Sequence, residues 1–142
     1  MYIYIRSMSE AQTEIYRDIR DASDQITLHI LKILMFPNSS YIDHWMHEIW
    51  SFLFRVKKLK GKNKFPKVAF IKDAMSTSND MIPELMSVVL DLEPELEPIW
   101  VDSKEALACI KAYQDWAASE LSAHGVIRQA DVKAKLKEIC NV

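Results

Sequence analysis

Glycine is nearly missing from this chain. Two glycines occur in 142 residues, where the usual share of roughly 7% would give about ten. Glycine supplies the positive-φ positions of tight turns, bulges and phosphate-cradling loops. With only Gly61 and Gly125 there is no Walker loop, no dinucleotide fingerprint and no succession of tight β-hairpins. Cysteine is equally scarce. Cys109 and Cys140 show no metal or redox spacing, which points to free thiols in a reducing, cytoplasmic setting. No apolar run approaches the roughly 18 residues that a membrane span requires. The start, Met1-Tyr-Ile-Tyr-Ile-Arg6, lacks the charged-then-apolar order of a signal peptide. A net charge of −2 exerts no overall pull toward nucleic acid.

What remains is helix-forming and globular. The composition is 49% hydrophobic and 27% charged, enough apolar surface for one core at this length. Met8-Ser9-Glu10 reads as a second translation start. Residues 1–8 are therefore set apart as an N-terminal extension, either an upstream start or an ordered extended segment, and 9–142 as the domain.

Capping patterns recur at Ser9 with Gln12, Ser40 with Asp43 and Asp102 with Glu105. In each, the cap oxygen takes a free N–H while the residue three positions on reaches back. Pro37 ends the first helix, and Gly61 and Gly125 end the second and fifth. The helices are expected at about 10–36, 41–60, 66–76, 81–92, 103–124 and 129–140, with boundaries good to roughly two to four residues. The first carries a seam of Ile15, Ile19, Ala22, Ile26, His29 and Ile33. The second carries Ile42, Trp45, Ile49, Phe52, Val56 and Leu59, and the fifth Leu107, Ile110, Tyr113, Ala117 and Leu121. Stripes at spacings of three and four pack helix on helix. The expected fold is all-α: a single-domain up-and-down bundle of about six helices, three or four long and the rest short.

The second helix holds more apolar residues than one seam needs. Trp50 and Phe54 fall opposite its seam. Either this helix is central and buried on both sides, or Trp45, Trp50 and Phe54 anchor a partner or dimer surface.

Two other groups carry chemistry. His44, His47 and Glu48 lie within one turn of each other, and imidazole and carboxylate at that spacing can share a divalent ion. The pattern is neither the HExxH of zinc peptidases nor the ExxH of di-iron bundles. His29 sits at the matching level of the first helix, where Glu48 or a backbone carbonyl can satisfy it. The second group is basic. Arg55 to Lys72 holds eight basic residues and no acidic one. Within it Lys57, Lys58, Lys60, Lys62, Lys64 and Lys67 can neutralise phosphates, flanked by Phe54 and Phe65. A solvated helix end, pairing with the acidic block and nucleic-acid binding are all compatible with it. The acidic block follows at once: Asp73 to Glu105 carries nine acidic residues and one lysine. Its Asp91–Pro98 stretch lacks the alternating ligands and turn glycine of a calcium loop.

Leu28-His29-Ile30-Leu31-Lys32, then Pro37, then Trp45 and Ile49, resembles the middle of an uncharacterised bacterial family catalogued as domain of unknown function twenty-nine. The resemblance spans roughly residues 14–60, about a third of the chain. It departs where the basic loop stands in place of the family's arginine-rich helix continuation. It implies an all-helical bundle, and it brings no activity and no site residues.

The pattern favours a small cytoplasmic interaction module over an enzyme. It would associate with a second copy or another protein through Trp45, Trp50 and Phe54, without cofactor or membrane. The alternative is a metal-dependent bundle enzyme using His44, His47 and Glu48. The third reading is nucleic-acid binding through Lys57–Lys67.

Overall fold

A computed structural model describes residues 9–62, 67–77, 80–123 and 125–142. These residues form α1 (Glu10–Met35), α2 (Ile42–Lys62), α3 (Val68–Met75), α4 (Met81–Leu92), α5 (Ser103–Ser122) and α6 (Gln129–Cys140), with no strand among them. The expected N-terminal extension, residues 1–8, lies outside the described residues.

The chain's punctuation explains most of the boundaries. Ser9 closes a full capping box: its hydroxyl accepts from Gln12 N at 3.2 Å, and its own N–H donates to Gln12 Oε1 at 3.0 Å. Asp102 accepts from Glu105 N at 3.1 Å and starts α5. Before α2, it is Ser39 rather than Ser40 whose hydroxyl takes a backbone N–H, from Tyr41 at 3.0 Å. Gly61 does not stop α2, which runs through it to Lys62. Gly125 does sit at φ +105°. An added Cβ there would meet nothing within 4 Å, so the backbone angle, not crowding, favours glycine.

The hub of the bundle is α1, which touches all five other helices. Its first half buries one stripe, Ile15 and Ile19. From Ile26 onward it is covered nearly all round, with Ile26, Thr27, His29, Ile30, Leu31 and Ile33 all buried. An α-helix apolar on every side belongs in the middle. The most extensive contact of α1 is with α2; α3 packs on α1 and α5, and α6 on α2 and α5. α1 is thus the hub, and α2 is covered on more than one side as well, by α1, α6 and α5.

A buried polar cluster fixes the α3–α4 connection. Ser23 Oγ donates to the Met75 carbonyl at 2.7 Å, and Gln114 Nε2 donates to Thr77 Oγ1 at 2.9 Å and to Ser23 Oγ at 3.4 Å. Arg20 donates to the Ser76 carbonyl at 2.7 Å. These bonds satisfy carbonyls freed at the end of α3, in a place where unpaired groups would be costly.

Candidate functional site

The aromatic residues of α2 serve the chain itself. Trp45 is 3% exposed, wedged between Phe36 and Tyr41 with ring centroids 6.2 and 6.1 Å away. It is a core side chain, not a surface anchor. Trp50 is partly buried, and its Nε1 donates to the Ile127 carbonyl at 2.9 Å. Its ring stacks on Phe54 at 5.1 Å and lies 5.5 Å from His47. Ile127 belongs to the connection between α5 and α6, and α6 packs on α2. The side of α2 opposite its seam is therefore where the C-terminal helix docks in cis.

The histidines divide. His44 Nε2 lies 3.7 Å from Glu48 Oε1, with His44 well exposed. His47 turns the other way, where the Gln129 amide donates to its Nδ1 at 2.9 Å. Thus His44, His47 and Glu48 do not converge. Among the described residues no group of three or more His, Cys, Asp or Glu could hold a metal ion. His29 is buried beside Phe52, and its Nδ1–H donates to the Gln25 carbonyl at 2.6 Å. Burial lowers its pKa, with Lys32 and His44 acting the same way. The Gln25 bond and Glu48 oppose the shift.

His29, His44 and Glu48 do share a cleft of about 440 Å³ with Lys32, Glu93 and Glu95. Lys32 and Glu93 pair at 3.3 Å, both mostly buried. Ile99 N donates to the Met35 carbonyl at 2.8 Å. The acidic connector is thus strapped over the end of α1. The charged groups are largely spent on one another, and no Ser, Thr or Cys lines the cleft as a nucleophile.

The basic run is dispersed as well. Lys57 Nζ donates to the Glu120 and Ala123 carbonyls, each at 2.6 Å. A cation there completes the C-terminus of α5 and complements the negative end of its dipole. Lys58 is exposed, 4.8 Å over the Phe54 ring, and Lys67 is the exposed N-cap of α3. Lys64 and Phe65, and the side chains of Lys60 and Lys62, lie outside the described residues. Between α1 and α2 runs a groove of about 480 Å³, with Asp18 and Asp21 on one wall and Arg55 and Lys58 on the other.

The conspicuous unpaired surface lies elsewhere. α4 is apolar on nearly every side, yet only Ile82 and Val89 are buried. Val88 is 42% exposed and Leu92 52%, and Leu90, on the opposite side of the helix, 43%. In the connector before α5, Ile99 is 52% exposed and Trp100 83%. Met81, Leu85, Val88 and Leu92 fall at spacings of four, three and four. At 100° per residue this is one stripe, beside the face that Ile82 and Val89 bury. The spacing rule that marks α1 and α2 also marks this stripe in the sequence, but not that Val88 and Leu92 stay exposed. Trp100 carries no such signal, because the connector has no periodicity.

Comparison with known proteins found no matching family model, no matching curated protein and no matching solved structure. Among the described residues no helix is long and apolar enough to cross a membrane.

Proposed function

We propose that this protein is a protein–protein interaction module whose docking surface is α4 and the connector after it. The observation that carries this is the 83% exposure of Trp100, in the connector that follows a helix whose Val88, Leu90 and Leu92 are 42%, 43% and 52% exposed. Contiguous apolar surface left in water marks interaction sites. Tryptophan is also among the side chains that most often dominate binding energy. The anchors expected on α2 are replaced by these residues, because α6 and the core already occupy Trp45 and Trp50. The alternative readings lack comparable support: the histidine cluster is divided, and Lys57 is engaged with α5.

The test is site-specific photo-crosslinking in the native host, with a photoreactive amino acid at Val88, Trp100 or, as a control, exposed Ala112 on α5. Discrete adducts from positions 88 and 100, and none from 112, are expected. No adduct from either position refutes the proposal. The mass of the adduct separates a second copy from another protein.

A further inference from the structure

We infer that the stripe on α4 binds a basic amphipathic helix of another protein. This rests on the interaction reading above and names the partner's chemistry. In the stripe Val88 and Leu92 are exposed, while Met81 and Leu85 are partly buried, Leu85 against the core; the four have the four-three-four spacing with which one helix receives another. It extends about 17 Å at 1.5 Å per residue, a match for roughly three turns of a partner. One edge adjoins the face already buried in the bundle. The other edge carries Glu84 and Asp91, seven residues apart and both exposed. Neither has an ion-pair partner among the described residues, since the ion pairs of this region engage Glu93 and Asp115 instead. α4 contains no basic residue at all. In helix pairs the charges flanking the apolar seam select the partner and its orientation. An acidic edge selects a basic one. A second α4 packed antiparallel would set Glu84 and Asp91 against the same carboxylates, so in that orientation the surface disfavours its own copy. Exposed Glu95 and Glu97, ahead of Trp100 in the connector, extend the same sign of charge.

The experiment uses two synthetic helices of three heptads with the same leucine seam, one lysine-edged and one glutamate-edged, titrated against the whole chain. The lysine-edged helix is expected to bind, and to bind more weakly as salt rises. The double variant Glu84→Lys with Asp91→Lys should weaken that binding about tenfold or more, and should reverse the preference between the two probes. Glu84 lies in the first turn of α4, where a cation opposes the helix dipole. Glu84→Gln with Asp91→Asn therefore serves as a second variant, expected to reduce the preference without reversing it. Equal binding of both probes, binding of neither, or a crosslinked adduct that is a second copy through α4 overturns the inference. If neither probe binds while adducts from Val88 and Trp100 persist with another protein, the interaction module stands and the basic helix falls. If those adducts are also missing, both fall.

Discussion

Replacing Trp50 distinguishes an internal strut from an external anchor. Its indole donates to the Ile127 carbonyl at 2.9 Å and its ring stacks on Phe54 at 5.1 Å. Truncating a fully buried tryptophan to alanine costs roughly 3–5 kcal/mol. Trp50 is partly buried, so about half of that applies, or ~2 kcal/mol by the same scale. The lost N–H···O bond adds ~1 kcal/mol. Trp50→Ala should therefore destabilise the fold by about 2–3 kcal/mol, and Trp50→Phe, which loses chiefly the donor, by about 1 kcal/mol. In a chain of this size, 2–3 kcal/mol lowers the melting temperature by roughly 8–12 °C. Urea denaturation gives the free energy, and an unchanged slope shows that the same cooperative unit is unfolding. Light scattering on the same samples gives the mass. The expected result is a lower midpoint at unchanged mass. A variant as stable as the parent but with a halved mass would refute the cis packing and return Trp50 to a dimer surface.

Three further outcomes are expected. Tyr113 is fully buried, and its hydroxyl has no hydrogen-bond partner among the described residues. Tyr113→Phe should thus stabilise the fold by about 1 kcal/mol in the same urea assay, and a destabilised variant would reveal a partner for the hydroxyl. For His29, whose folded-state pKa is lowered chiefly by burial, the unfolded chain takes up its proton first as pH falls through about 6.5. Stability should then fall until the pH passes below the depressed folded-state value, and His29→Gln should flatten that part of the profile; an unchanged slope counts against a buried neutral imidazole. Burial pushes the Cys140 thiol up to about 12 and raises that of Cys109, whose Sγ also donates to the Ile139 carbonyl at 3.6 Å. Neutral thiols are poor nucleophiles, so alkylation of buried Cys140 near neutral pH should proceed only as fast as the chain opens; rapid labelling of Cys140 in the folded protein would contradict this placement.

The helices themselves were legible in the sequence because they are set by local chemistry. The Ser9 box, the Asp102 cap, the Pro37 turn and the seams of α1 and α2 act within a few residues of themselves. The all-α class followed from them and from the shortage of glycine. The histidine at position 29 was equally readable, because the carbonyl that satisfies it lies four residues back in its own helix.

What the sequence by itself determined, then, was the set of helices, their apolar stripes and the exclusion of glycine-loop chemistry. Which stripes found partners was decided by the tertiary structure. Trp50 looked unpartnered until the connector beyond α5 placed the Ile127 carbonyl beside its indole, 77 residues away in the chain. Lys57 looked like part of a basic patch until the end of α5 arrived at its ammonium, and His44 and His47 looked like neighbours although one faces Glu48 and the other Gln129. Conversely, α4 reads as an ordinary core helix, and only the packing leaves Val88 and Leu92 in water. The physical reason is that a periodic pattern fixes which residues share a face, whereas burial of that face depends on contacts whose partners are remote in sequence.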